Sequence, residues 1–445
     1  MANGDGSGDV LEVAERLWNG DVDIAELHPV GYSGSLSEID DGLAFIPSFA
    51  NVSAFKTADG LVTVDTGSAI FAQTIHSELR HWSPDRLDTA VYSHGHIDHV
   101  FGVPLFDEEA KSKGWKAPTV VAHEALPARF DRYIRTAGYN AVINRRQFLV
   151  PDLQWPVEYR YPDRTYSDRL DIDVGGQRFE LHHARGETDD HTWTWIPEHR
   201  TVCCGDLFIW ASPNAGNPQK VQRYPSEWAA ALREMIALDP ERLLPGHGFP
   251  VIGRDRVRQA LSDTAELLDS LVEQTLEMMN AGARLNEIVH TVKAPQHLID
   301  RPYLAPVYDE PEFVVRNIWR QFGGWYDGDP SSLKPAPAAD LAGELSELAG
   351  GAGVLAERAL MLANQFREQQ AISKDTTLPS RRPFPSELRL AGHLAELAVQ
   401  AAPGDPGIRQ IHCEVFATMA QAATSTMAKG IYRWASTQSK KEIAD

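Results

Sequence analysis

Hydrophobic and polar positions along the chain change period near its middle. From Leu43 the apolar residues fall in short runs bounded by turn residues, the pattern of strands. The runs LAFIPSFANVSAFK and LVTVD flank an Ala-Asp-Gly turn, and the second ends at Asp65-Thr66-Gly67. DTAVYS reads as a buried strand that stops at His94, and PTVVAH, RLDIDV, RFELHHA, HTWTWI and RTVCC repeat the theme. Helical spacing interrupts these runs over residues 8–19, 70–81, 105–114, 124–138 and 226–238. Such mixing predicts a layered α/β domain over residues 1–253. Apolar positions then take helical spacing over 254–280, within a connecting segment 254–333. Residues 334–445, rich in Ala, Leu and Glu, predict an all-α domain with helices near 338–370, 386–402 and 406–437. Between the first two of these, Lys374–Pro385 is polar and proline-rich, the composition of an exposed loop.

Composition narrows the function. The 445 residues carry 42 Lys+Arg against 62 Asp+Glu, a net charge of -20. That balance argues against nucleic acid as a partner, since phosphate binding needs a basic surface, and disfavours an anionic membrane. It leaves room for a local cationic pocket and an anionic small-molecule substrate. Three cysteines, Cys203, Cys204 and Cys413, make no disulfide framework, and the first two read as buried strand residues. Neither a secretory leader nor an apolar run long enough to span a bilayer is evident, so the cytoplasm is the expected location.

The chemistry concentrates in Ser93-His94-Gly95-His96-Ile97-Asp98-His99, directly after a predicted strand. Three imidazoles and a carboxylate within six residues would be costly to bury without partners. A tight turn can send His94 and His96 to one metal ion and Asp98 and His99 to a second. Imidazole and carboxylate donors suit zinc, and also iron or manganese.

With this motif the sequence resembles the metallo-β-lactamase-fold hydrolases, an αββα sandwich, and further pieces follow in the family's order over residues 40–253. The resemblance implies that Asp65 braces the metal loop as a hydrogen-bond acceptor, that Asp206 in Cys-Cys-Gly-Asp-Leu-Phe bridges both ions, and that His247 in Leu-Pro-Gly-His-Gly binds the second. One position departs. Where the family places a His after Gly, this chain reads Arg185-Gly186-Glu187-Thr188-Asp189-Asp190-His191. Glu187 there is similar to the alkyl sulfatase branch, which makes it the expected third ligand of the first ion; His183 and His191 are the alternatives, and His191 otherwise supports the ligands or touches substrate. Asp98, Asp206 and Glu187 with a bridging hydroxide balance two divalent ions to near neutrality, so an anionic substrate would need cations from Arg185, Lys220, Arg223 or Arg301.

Resemblance to the alkyl sulfatases continues past the metal motifs, through Asn280-Ala281-Gly282, Arg316-Asn317-Ile318-Trp319 and Gly323-Gly324-Trp325-Tyr326-Asp327. It implies that the last helices form a dimerisation domain and that the protein is a homodimer. Two departures point to a different or smaller substrate. Glu310-Pro311-Glu312-Phe313 stands where those enzymes place a sulfate-pocket His, and Asn214 to Arg223 matches their sulfate-binding Arg only loosely. Their further C-terminal lipid-carrier-like domain is not expected, because the sequence ends at Asp445. Trp193, Trp195, Trp210 and Trp228 read as core, while Tyr133, Tyr139 and Arg145 lie in an insertion that often roofs this fold's active site. The expectation is a hydrolase with two divalent ions, most readily zinc, that cleaves an alkyl sulfate ester or a related small ester. Its rivals are a carboxylic ester or lactone hydrolase on the same metals, and a dimeric binding protein that keeps metals for structure.

Overall fold

Seven strands pair in the order in which the chain makes them: β1 (Ser37–Asp40), β2 (Leu43–Ile46), β3 (Val52–Thr57), β4 (Gly60–Val64), β5 (Leu87–Val91), β6 (Thr119–His123) and β7 (Arg164–Tyr166). The first four run antiparallel, and β4 to β7 run parallel. A second sheet has the order β13-β12-β11-β10-β9-β8, built from β8 (Arg169–Val174), β9 (Gln177–His183), β10 (Thr192–Ile196), β11 (Thr201–Gly205), β12 (Arg242–Pro245) and β13 (Val251–Ile252). Only β11 and β12 are parallel in it. This is a computed structural model, and it describes residues 9–372 and 383–444.

The sheets face each other through alternate side chains. Phe55 of β3 meets Phe179 of β9 edge to face, with ring centroids 5.4 Å apart. The other face of the first sheet is covered by helices. Ile75 and Leu79 from helix Ala72–Trp82, Val103 and Phe106 from Val103–Lys113, and Leu126 and Phe130 from Leu126–Arg135 join Val52, Ala54, Ala90 and Val120 in one apolar cluster. Because both faces are covered, β4 is buried along its whole length and β5 at every position but Asp88. The fold is the expected αββα sandwich followed by helices.

Contacts divide the chain into two units, and the division cuts across the expected connecting segment. One unit takes residues up to Ala137, Trp155–Ala283 and Glu287–Gly324, so helices Arg254–Asn280 and Pro311–Gly323 belong with the sheets. The other takes Gly138–Gln154, Arg284–Asn286 and the chain from Trp325. Tyr139 and Arg145, expected near an active-site roof, fall in this second unit on helix Ala137–Phe148.

The second unit is helical. Leu362, Leu388, Ala391, Ala395, Val415 and Met419 form its core. Helices cross closely at Gly392, where an added Cβ would lie 2.8 Å from Met419 Sδ. His412 joins three helices, with Nε2 3.1 Å from Glu396 and Nδ1 2.8 Å from Ser439 Oγ. Two helices expected as single pieces are each two. Gly350 and Gly351, at φ 91° and 126°, part Ala338–Ala349 from Ala352–Ile372. Extended Ala423 and the Ser425 cap part Pro406–Ala422 from Thr426–Ala444. Most of the loop expected over Lys374–Pro385 lies outside the described residues.

Candidate metal centre

The chemistry-bearing residues sit where strands end. Asp65 follows β4, Ser93–His99 follow β5, Glu187 follows β9, Asp206 follows β11 and His247 follows β12. Parallel pairing of β4 with β5 and of β11 with β12 brings these ends to one edge of the sandwich. Asp65 turns there with φ 61°, a left-handed conformation that aspartate tolerates better than most residues.

The side chains form two groups whose donor atoms, within each group, all lie within 4.8 Å of one another. One holds His94, His96, Glu187 and Asp206, the other Asp98, His99 and His247. In the first, His94 Nε2 is 2.7 Å from His96 Nδ1, and Glu187 Oε2 is 3.4 Å and 3.2 Å from these nitrogens. In the second, His247 Nε2 and His99 Nε2 lie 3.3 Å and 3.6 Å from Asp98 Oδ2. Asp206 stands between the groups, its Oδ2 3.8 Å from His94 Nε2 and 3.3 Å from His247 Nε2.

Hydrogen bonds behind the imidazoles decide which nitrogen faces inward. Asp65 Oδ2 accepts from His99 Nδ1 at 2.7 Å and from the Ser93 hydroxyl at 2.8 Å. That hydroxyl accepts in turn from His94 Nδ1 at 3.0 Å. His247 Nδ1 donates to the Phe49 carbonyl. With Nδ1 protonated in all three, each Nε2 presents a lone pair to the cluster, the orientation a metal ligand needs.

Electrostatics agree with that donor set. Burial pulls the His247 imidazole down, but Asp206 and Asp98 outweigh it and push it up to about 10. His99 is likewise raised well above its ordinary value against the pull of burial, by Asp206, Asp65 and Asp98. Burial alone would raise Glu187, yet Arg223 and His96 hold it well below the carboxylate range. The carboxylates thus stabilise positive charge at His99 and His247, whereas burial brings the His96 imidazole down to about 4 against the pull of Glu187. Moreover His99 Nε2, Glu187 Oε2 and Asp206 Oδ1 are buried with no hydrogen-bond partner. Inward lone pairs, three carboxylates and orphaned buried acceptors fit a pair of metal ions.

Glu187 is itself held. It is 1% exposed, Asn214 Nδ2 donates to its Oε1, and Arg223 donates to its backbone carbonyl with Nη2 3.3 Å from Oε1. Asn317, from the Arg316-Asn317 stretch, fixes the Arg223 backbone with bonds of 3.3 Å and 3.0 Å. His191 lies outside both groups: its Nε2 accepts from the Asp206 N–H at 3.1 Å and its ring stacks on His94. His183 also stands apart, stacked on His123 at 3.6 Å. Of the other candidate cations, Arg185 pairs with Glu227 and Arg301 with Asp263. Half-buried Lys220 lies 5.7 Å over the Trp155 ring, and burial and Arg223 bring its ammonium down to about 8 against the pull of Glu187 and Asp98. Trp155 packs on Tyr133, whose ring is 6.4 Å from that of His96.

Sequence reasoning missed Asp309. It is fully buried and accepts from Gly216 N at 2.7 Å and Glu310 N at 2.8 Å, which fixes the turn bearing Asn214. Burial pushes its carboxyl up to about 7. A lone Asp before Glu-Pro-Glu carries no signal of that contact, which spans 93 residues.

This fold and these paired donor groups form a candidate two-metal centre, and comparison with known families agrees. The family described as Metallo-beta-lactamase superfamily matches residues 46–247, and the one described as Alkyl sulfatase dimerisation matches residues 284–374. The chain therefore carries a metallo-β-lactamase domain followed by an alkyl sulfatase dimerisation region. Among relatives, a linear primary-alkylsulfatase of a Pseudomonas species is 28% identical over 322 residues, covering 66% of this chain and 60% of that one. An (R)-specific secondary-alkylsulfatase, also from Pseudomonas, is 26% identical over 344 residues, covering 68% and 50%. The chain thus spans 60% or less of the length of these two relatives. A solved structure, the stereoselective inverting sec-alkylsulfatase Pisa1 from Pseudomonas sp., superposes with a TM-score of 0.76 at 22% identity, covering 91% of this chain and 65% of that one. At that identity the likeness establishes the fold.

Proposed function

We propose that this protein is a dinuclear metal-dependent hydrolase of alkyl sulfate esters. His94, His96 and Glu187 would hold one ion, Asp98, His99 and His247 the other, and Asp206 both. The observation that carries this reading is the Asp206 carboxylate, one oxygen of which is within 3.8 Å of His94 and 3.3 Å of His247. Zinc suits the His/Asp/Glu set best, with manganese or iron as alternatives. When bound, such a pair supplies Lewis acidity and lowers the pKa of water to near neutrality.

The chain's own residues do the remainder. Asp65, Ser93 and the Phe49 carbonyl hold the imidazole tautomers. Arg223 and Asn214 keep Glu187 ionised and aimed. The Lys220 ammonium offers positive charge to the sulfate oxygens, and Tyr133 and Trp155 give the organic group an apolar wall. The net reaction consumes one water and yields an alcohol and inorganic sulfate. The alkylsulfatase relatives support this substrate class.

The dimerisation family match supports a homodimer, as does an exposed apolar stripe on helix Ala338–Ala349. Leu341, Leu345 and Leu348 lie at helical spacing and are 52%, 38% and 83% exposed. A monomer by light scattering at micromolar concentration would refute it. A reducing compartment such as the cytoplasm suits the three free thiols.

The test is release of inorganic sulfate from short and long, primary and secondary alkyl sulfates by zinc-loaded protein. Release supports the reading. Its absence from protein shown to hold two ions would refute the sulfatase assignment and favour carboxylic esters or lactones.

A further inference from the structure

His94 and His96 come from one backbone turn, with a glycine between them. Glycine is the residue least able to fix its own conformation, so the direction of the two rings depends on what holds the Gly95 peptide. The Gly95 N–H donates to Asp190 Oδ2 at 2.8 Å. Asp190 is fully buried, and Arg129, 4% exposed, places Nε 2.7 Å from its Oδ1. An added Cβ on Gly95 would lie 2.8 Å from Arg129 Cδ and 3.1 Å from Asp190 Oδ2, so the pair is packed directly on the turn. Arg129 is braced further by Asp189 and lies beside Tyr133, whose ring is 6.4 Å from that of His96.

We propose that Asp190 and Arg129 are positioning residues that hold the Gly95 peptide and thereby set His94 and His96 for one of the two ions. The inference rests on the dinuclear reading above. Burying an ion pair contributes little to stability, because desolvation offsets the Coulomb gain. This one gains a defined role by carrying a peptide N–H between two imidazoles. The sequence shows it only as the Asp189-Asp190 pair before His191 and an Arg on an amphipathic helix. Burial would raise the Asp190 carboxyl, but Arg129 and the nearby imidazoles keep it well below the usual range, so it stays an acceptor.

The test is chelator competition with cobalt(II), reading two stepwise dissociation constants and the visible spectrum. The proteins are the parent, Asp190→Ala, Asp190→Asn, Arg129→Met and Arg129→Lys. Loss of an outer hydrogen-bond partner commonly weakens metal binding by about 10–100-fold. Asp190→Ala and Arg129→Met should show that loss for one ion while the second constant stays within about threefold, with Arg129→Lys restoring most of it. Where Asp190→Ala does not fold, Asp190→Asn replaces it, and a selective loss at one ion is again expected. Constants unchanged in every folded variant overturn the inference. So does an equal weakening of both ions in step with a lower melting temperature, which is the mark of a merely structural role. A folded parent that takes up no cobalt overturns the dinuclear reading, and this inference with it.

Discussion

Replacing Arg223 with Met should destabilise the sheet-bearing unit far more than an ordinary Arg substitution. Glu187 and Arg223 are each 1% exposed, with Nη2 3.3 Å from Oε1. Once the guanidinium is gone, Asn214 is, among the described residues, the only side chain left donating to that carboxylate oxygen. Breaking one side of a buried pair costs about 3–5 kcal/mol, because the other charge stays in a low-dielectric site. That is a fall of about two to four powers of ten in the ratio of folded to unfolded protein. Adding Glu187→Gln removes the stranded charge, so the double variant should recover about 2–3 kcal/mol of the loss. Urea unfolding of metal-stripped protein, followed by fluorescence of buried Trp193 and Trp228, measures all four corners of the cycle. Saturating zinc should narrow the gap between Arg223→Met and the parent, since Glu187 then faces a cation again. A single-variant cost under about 1 kcal/mol, or a double variant whose cost is the sum of the singles, would refute the reasoning.

Further outcomes can be checked separately. Asp206→Ala should lose both ions in metal analysis and all hydrolysis, because that carboxylate reaches both groups. Lys220→Ala should raise KM for sulfate esters about tenfold with a smaller change for a neutral ester, from loss of a charged hydrogen-bond donor; equal effects on both would contradict its role. Between pH 4 and 7 the folded protein keeps the Asp309 proton, at about 7, that the unfolded chain releases near 3.8. This share of stability is present in full at low pH and drains away as pH rises through 7, by ~4 kcal/mol. In Asp309→Asn that slope should vanish from the pH dependence of urea midpoints.

Much of the site was legible because the residues proposed as ligands come from short local patterns. His94 to His99 lie within one turn, Asp65 and Asp206 each follow or end an apolar run that sequence alone reads as a strand, and His247 shows through its Leu-Pro-Gly-His-Gly motif. Glu187 stood out as a carboxylate at a position where a His was expected, and the structure places it with His94, His96 and Asp206. The hidden part was long-range. Asp309 reaching Gly216, Asn317 reaching Arg223 and Arg129 reaching Asp190 join segments 61 to 94 residues apart, and no period in the sequence encodes such meetings. Helix ends were blurred for the opposite reason. Gly350-Gly351 and Ala423 to Ser425 break helices locally, yet apolar spacing continues on both sides and masks the interruption.

The placement of donors on both sheets has a mechanical side. His96 leaves the first sheet and Glu187 the second, about 90 residues later in the chain, so an ion shared by them is a crosslink that closes a large loop. By chain-entropy arguments developed for disulfides, closing about 100 residues removes ~4.7 kcal/mol of freedom from the unfolded ensemble. Two such closures at one edge would rivet the sandwich where it opens to substrate. The lifetime of the folded protein would then track the supply of metal, and a starved cell would lose the polypeptide along with its activity.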